Sequence, residues 1–531
     1  MMQIAFAIRP LGFAIASVAL ALITATSAGA QTLTVGMKGE PTSLDPMFRA
    51  ITTDMQVASH IFDALVTSAP DMRQQAALAI EWKAVEPTAW EFKLRPNVRF
   101  SDGTRFSAQD VVFSFDRLTK VPNSPSPLAL LVRGVKQVKA IDALTVRIET
   151  AAPMPNLPRV VQLVTIMSKQ RASGPAPEGK TTSQLNGGDG LVGTGPFVFS
   201  SWSRGAEIVL ERNPHYWGTP VPWQRVVLRV IPNSAVRLSA LMSGGVDIIE
   251  DPSPDDLPRL AKDPQLKVAT ALTARIIYIG LDMAPSKLPG MEANPLQDVR
   301  VRRALAMAID RKVLGERIME NMAQPTVNVI APMMEGGTDN AKLPAADLAG
   351  ARKLLQEAGY PNGFTMPLGA PNGRYVNDAK LAQAVASMWG RIGVKATLDT
   401  PTTAIFFKNL VAYDYPSHIT GWADTVSTDR MRAMFAPRDE RTGATNYGRY
   451  RNPELATLIE KASSEFNEAD RVALIRKVEQ AAVDDVAVIP LHFEKSAIAM
   501  RRGLDYVPRA DQLFLSQGIV ANAAVGTQAR K

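Results

Sequence analysis

The stretch from Gly193 to Trp217 constrains the fold more than any other part of this 531-residue chain. It begins with Gly193-Thr194-Gly195-Pro196-Phe197. The two glycines tolerate positive φ, and Pro196 fixes its own φ and keeps Thr194-Gly195 out of a helix, so a tight turn is expected. Phe197-Val198-Phe199 then reads as extended. After a turn at Trp202-Ser203-Arg204-Gly205, the run Glu207-Ile208-Val209-Leu210-Glu211 has the pattern of a half-buried strand. Asn213-Pro214 ends it, because proline cannot donate to a sheet ladder. Tyr216 and Trp217 then bring large rings with polar tips.

Strand and helix signals alternate on both sides of this hairpin. Strands are predicted at Leu33-Thr34-Val35, Trp90–Arg95, Leu144–Glu149, Val226–Ile231, Ile276–Ile279, Val394–Leu398 and Val488–Phe493. Gly39–Pro46 is a loop bracketed by prolines, and 171–195 reads as one long Gly- and Pro-rich loop. Ser107 and Asp110 form a capping box ahead of Val111, Phe115 and Leu118 on one helix face. Asp298 is placed to cap a helix whose Val301, Ala304, Leu305, Ala308 and Ile309 make an apolar stripe; Arg300, Arg302 and Arg303 read as its solvated face. Asp347 caps another, stopped by Gly359 and Pro361, and Leu381–Ile392 is a third. Two more fall at 453–464 and 468–485, and the tail from Gln517 is expected to fray. The class is α/β, with mixed sheets.

Composition narrows the function. Apolar residues make up 46% and charged residues 21%, which is ordinary for a globular protein. At about 150 residues per domain the length allows some three domains. Residues 1–30 carry one charge, Arg9, an apolar run from Leu11 to Ile23 and the ending Ala28-Gly29-Ala30, the layout of a cleaved signal peptide. The apolar run is shorter than the roughly 20 residues a bilayer span needs. The chain has no cysteine, which removes disulfides and thiol chemistry and suits an exported bacterial protein of the periplasm. The formal charge of +8 fits a solvated basic surface better than a nucleic-acid site in an exported chain.

Enzyme signatures are missing. His60, His215, His418 and His492 are scattered, and no G-x-S-x-G, H-E-x-x-H or Walker A motif occurs. Gly188-x-Gly190-x-x-Gly193 matches a dinucleotide fingerprint, but a loop precedes it and a strand follows, the wrong context for one. The expectation is therefore no catalysis, no metal and no cofactor.

The Gly193–Trp217 pairing, the Ser101-Asp102-Gly103 to Ser114 stretch, the Ser243–Ile248 turn and the Pro295–Arg311 helix occur in an order that resembles the extracytoplasmic solute-binding proteins of peptide- and nickel-type ABC importers. The resemblance implies two lobes around a cleft, a type II periplasmic-binding-protein fold with a hinge of two chain crossings. The implied division is 31–273 with 490–531 as one lobe, carrying an inserted subdomain at about 55–190, and 274–489 as the other. It implies a monomer that captures a peptide or similar small solute and delivers it to an inner-membrane permease with its ATPase. A nickel or haem receptor of the same fold, and an exported hydrolase, are the alternatives.

In peptide-binding members an Asp after a Gly-Trp pair takes the ligand ammonium. Gly421-Trp422 matches, with Asp424 the nearest carboxylate; the usual spacing is one residue longer, and Thr425–Asp429 replaces the usual Asp-Pro, so Asp429 is a second candidate. Arg374 lies in the loop that in some members grips the ligand carboxylate, with Tyr375 and Asn377 beside it. A planar guanidinium suits that task because it donates two parallel hydrogen bonds. Trp422 is assigned to the cleft wall. The Gly39–Pro46 loop, with Glu40, resembles one that reaches the cleft.

Overall fold

Two long strands organise the computed structural model, which describes residues 31–522 apart from 126–127, 289–290, 340–341 and 440–441. The signal-peptide reading of residues 1–30 therefore lies outside the described residues. Leu266–Leu281 and Ile489–Arg501 run antiparallel through an eleven-stranded mixed sheet and belong to both of its wings. Toward the first wing follow Ile248–Glu250, Thr32–Met37, Arg225–Val230, Glu207–Arg212 and Phe197–Ser203; toward the second, Ser417–Trp422, Phe364–Gly369 and Val394–Asp399. The two long strands pair from Leu266↔Arg501 to Leu272↔Lys495 and again from Ile276↔Phe493. Between those registers, Thr273, Ala274 and Arg275 stand opposite the single residue Glu494, a bulge that bends the pair.

Each wing has its own apolar interior. The first is continuous with a four-stranded antiparallel sheet, Ala79–Glu86, Ala89–Leu94, Thr145–Thr150 and Val135–Asp142, and with the helix Ala108–Leu118. In the second wing, odd positions Ile277, Ile279 and Leu281 pack on the helices Val299–Met307, Leu348–Glu357 and Asp378–Gly390. Even positions Ile276 and Tyr278 pack on Ser427–Phe435, Pro453–Ser464 and Glu468–Asp484. This two-faced burial follows from the period of two along a strand.

Most local readings hold. The stripe Val301, Ala304, Leu305, Ala308 and Ile309 is buried throughout. Asp298 accepts the Arg300 N–H at 2.8 Å, and Asp110 accepts that of Ser107 at 2.9 Å.

Five readings need correction. Gly193 and Gly195 do not adopt positive φ. They are glycine because a Cβ would fall 2.0 Å from the Ile61 carbonyl oxygen at Gly193 and 2.6 Å from the Ile61 carbonyl carbon at Gly195. The Phe197 strand runs on to Ser203, with a bulge between Phe199 and Ser201, so the turn starts later than its sequence suggests. The loop 171–195 contains a helix, Thr182–Asn186, capped by Thr181, which accepts the Gln184 N–H at 3.3 Å. Arg302 is not solvated: it is buried and donates to the carbonyls of Leu296, Gln297, Asp485 and Val486, tying one helix end to another segment. The tail does not fray at Gln517, because Ile519 is fully buried, its carbonyl accepts Trp223 Nε1 at 2.9 Å, and Val520–Ala521 pairs with Leu504–Asp505.

Candidate functional site

The strand Ser417–Trp422 delivers Gly421 and Trp422 at its end, beside Ile276 and Ile277. Position 421 has no room for a side chain. A Cβ there would lie 2.5 Å from Ile277 Cδ1 and 3.0 Å from both the Ile276 oxygen and the Tyr375 ring. The Tyr375 hydroxyl donates to the Gly421 carbonyl at 3.2 Å and sits 3.3 Å from Thr420 Oγ1. The loop that carries Tyr375 is wound around Asp378, whose carboxylate accepts the N–H groups of Gly373, Arg374 and Tyr375 at 3.1, 2.8 and 3.0 Å. Arg374 is exposed, with its guanidinium 5.5 Å from the Tyr375 ring centroid. Asn377 has left-handed φ of 51° and spends its amide on the Ile318 carbonyl at 2.8 Å.

Downstream of Trp422, the Asp424 carboxylate accepts the Val426 N–H at 3.0 Å. Its backbone carbonyl accepts Arg430 Nη2 at 2.6 Å, and Arg430 Nη1 reaches the Val329 carbonyl at 2.8 Å. Burial pushes the Asp424 carboxyl up, while the Val426 N–H and the Arg430 charge hold it back; burial also brings Arg430 down to about 10. The indole of Trp422 comes near enough to Asp424 to favour its charged form without a well-formed hydrogen bond, and Nε1 is a buried donor with no partner. Asp429 pairs with Arg432 at 3.0 Å and accepts Asn156 Nδ2 at 3.3 Å. Burial and then Asp424 push it up to about 6 against the pull of Arg432. Asn156 precedes the helix Leu157–Val161, so this bond joins the first wing's side of the molecule to the second. A second such junction is the stacking of Trp90 on Phe466, with centroids 6.1 Å apart.

Glu40, from the first loop, accepts Trp202 Nε1 at 3.0 Å and the Gly205 N–H at 2.7 Å. Its carboxylate thus pins the loop to the hairpin. The end of that loop, Ser43, Leu44 and Asp45, is buried, with Asp45 held by Arg117. Tyr375, Gly421, Trp422, Asp424 and Arg374 therefore belong to one neighbourhood; Glu40 and Asn377 fix loops by other bonds.

A cluster at the strand crossing had no signal in sequence. Glu250 accepts the Lys38 N–H at 2.9 Å and Gln56 Nε2 at 2.7 Å, and Lys38 Nζ pairs with Asp251. In the bulge, Arg275 pairs with Glu494 at 3.4 Å and donates to Gln512 Oε1 at 2.6 Å. Burial pushes the Glu250 and Glu494 carboxyls up, and Lys38 and Arg275 respectively hold them back. The Arg275 guanidinium lies 5.9 Å from the Tyr375 ring, so Tyr375 has a guanidinium from the crossing and one from its own loop. All of these partners are distant in sequence, Gln56 and Glu250 by 194 residues and Lys38 and Glu250 by 212, which is why no local pattern announces them.

Two surface concavities, along Ala456–Ser464 and between Ala69–Arg73 and Val507–Ala510, are lined by none of these residues. The charge and hydrogen-bond geometry marks the site instead. Among the described residues no group of three or more His, Asp or Glu side chains could hold a metal ion.

Comparisons with known proteins agree on one family. The model for "Bacterial extracellular solute-binding proteins, family 5 Middle" matches residues 73–439. The oligopeptide-binding protein OppA of Bacillus subtilis (strain 168) is 25% identical over 496 residues, covering 88% of each chain. The dipeptide-binding protein of Escherichia coli (strain K12) is 24% identical over 503 residues, covering 88% of this chain and 90% of its own. Among solved structures, the ABC transporter-associated periplasmic binding protein DppA from Helicobacter pylori, in complex with peptide STSA, superposes with a TM-score of 0.74 at 24% identity. It covers 92% of this chain and 98% of that one.

Proposed function

Because the chain belongs to the bacterial extracellular solute-binding proteins of family 5, we propose that it captures a di- or oligopeptide, or a similar small solute with charged ends, and hands it to the permease of an ABC importer. The fold is the one these periplasmic binding proteins share. The observation that carries the reading is the Tyr375–Gly421 bond, which ties the Arg374 loop to the Gly421–Asp424 turn. A cation and a carboxylate are thereby held near one strand end, a set suited to the poles of a zwitterion. Buried ammonium and carboxylate groups are costly unless each meets an opposite charge or several hydrogen bonds. Asp424 receives the ammonium, with Asp429 behind it; Arg374 receives the carboxylate; Trp422 walls the site; Glu40 and Asn377 serve it by fixing loops. The names of the oligopeptide- and dipeptide-binding relatives support a peptide as the ligand.

Residues 31–273 with 490–531, and 274–489, act as two lobes that turn about the bulge at Thr273–Arg275. Ligand favours closure because it touches both sides, and only differential affinity shifts such an equilibrium. The protein works as a periplasmic monomer and binds without catalysis. Mass spectrometry of small molecules released from the purified protein tests this reading. A peptide is expected; nickel or haem would point to the metal-type receptor, and peptide turnover to a hydrolase. Unchanged affinity for the released ligand in both Asp424→Ala and Asp429→Ala would remove those two from the site.

A further inference from the structure

The return strand places Glu494 where no simple structural need calls for a carboxylate. The residue is 5% exposed and faces the bulge of the neighbouring strand. One oxygen pairs with Arg275, and the other accepts the N–H of Val376 at 3.1 Å. Val376 follows Arg374 and Tyr375 directly. Arg275 in turn donates to Gln512, in the C-terminal segment, and Gln512 Nε2 lies 3.4 Å from Thr273 Oγ1. Thr273 closes the circuit by donating to the Glu494 carbonyl at 2.9 Å. A continuous polar path thus runs from the C-terminal segment, through both crossing strands, to the loop that carries Arg374. Burying such charges is unfavourable unless the network is fully satisfied, and a satisfied one fixes geometry.

We propose that Glu494 and Arg275 are positioning residues of the binding site: they hold the Arg374–Tyr375 loop in register with the hinge, so that the guanidinium of Arg374 and the hydroxyl of Tyr375 are set before ligand arrives. This deepens the reading above and rests on it. Glu494 acts through the Val376 amide, whereas Asp378 secures the three preceding amides independently. Loss of Glu494 therefore loosens one amide and the loop's tilt without unwinding the loop.

The test compares wild type, Glu494→Ala and Glu494→Gln in the full-length mature protein by residue-resolved hydrogen exchange without ligand. A parallel assay follows retention of a pool of free tripeptides by native mass spectrometry. In Glu494→Ala, Val376 exchanges about tenfold faster and the dissociation constants of retained peptides rise about tenfold, the size of one lost hydrogen bond to a charged group. Gln keeps an oxygen for Val376, so it restores the protection and most of the affinity. Val376 is accelerated beyond the other amides of the second wing, whereas a general loss of stability accelerates them together. Unchanged Val376 exchange in Glu494→Ala overturns the proposal. So does a loosened Val376 with unchanged peptide retention, or a Gln variant no better than Ala. A wild type that retains no peptide overturns the functional reading, and the exchange arm then decides alone whether Glu494 holds the loop.

Discussion

Replacing Asp45 with alanine is the sharpest test of how the first loop is held. Asp45 and Arg117 have fully buried side chains. Their two hydrogen bonds are parallel, at 2.8 and 2.7 Å. Asp45 also accepts the Thr182 hydroxyl at 2.8 Å and the Met47 N–H at 3.1 Å. Without the carboxylate, the guanidinium keeps only the Lys180 carbonyl at 3.1 Å, and its Nε already has no partner. An uncompensated buried cation costs about 3–5 kcal/mol. Arg117→Met leaves a carboxylate that retains two neutral donors, so it costs less. The double variant Asp45→Ala/Arg117→Met removes both charges, and its cost falls short of the sum by at least about 2 kcal/mol. Urea denaturation followed by tryptophan fluorescence reads this well. Trp82, Trp90, Trp202, Trp217 and Trp223 precede residue 250, so the signal is weighted to the region carrying the pair. A cost below about 1 kcal/mol for Asp45→Ala, or additive costs, refutes the reasoning.

Gly421→Ala forces a methyl against Ile277, the Ile276 carbonyl and Tyr375. It is expected to cost about 1–3 kcal/mol in urea denaturation and to weaken retention of free tripeptides, because Tyr375 must move; unchanged values of both would contradict the close packing. Burial brings His60 down to about 4, so the folded state holds it neutral. Its contribution is complete above pH 6.5 and is lost as pH falls from 6.5 to 4, by roughly 3 kcal/mol. His60→Gln should flatten the fall of the urea midpoint across that window; an unaltered slope would show that His60 does not drive it. Arg374 gives a ligand-side check: by isothermal titration, a free-acid tripeptide binds more tightly than its C-terminal amide in wild type and equally in Arg374→Ala. Equal binding in wild type would release Arg374 from the carboxylate.

Sequence revealed what is local. The stripe from Val301 to Ile309, the Asp298 cap and the Asp347 cap, which accepts the Gly350 N–H at 2.8 Å, depend on spacings of two to eight residues. The Gly-Trp pair and the Arg374 loop were legible as a pattern, and Tyr375 proves to be the bond between them. What stayed hidden depends on distant partners. Arg302 looked solvated because its partners, Asp485 and Val486, come from another helix end. Gly193 and Gly195 looked like turn glycines because the Ile61 backbone that crowds them lies 132 and 134 residues earlier in sequence. Glu494 and Arg275 lie just outside the strands predicted at Val488–Phe493 and Ile276–Ile279, and only the register break, three residues opposite one, brings them together.

The central claim is that a small guest is held by its two charged poles. Native mass spectrometry of the purified protein, offered equal amounts of free tripeptides and the same tripeptides capped at both ends, addresses it directly. One-to-one retention of free peptides, and little of the capped set, is expected. Equal retention of both sets, or of neither, would contradict it.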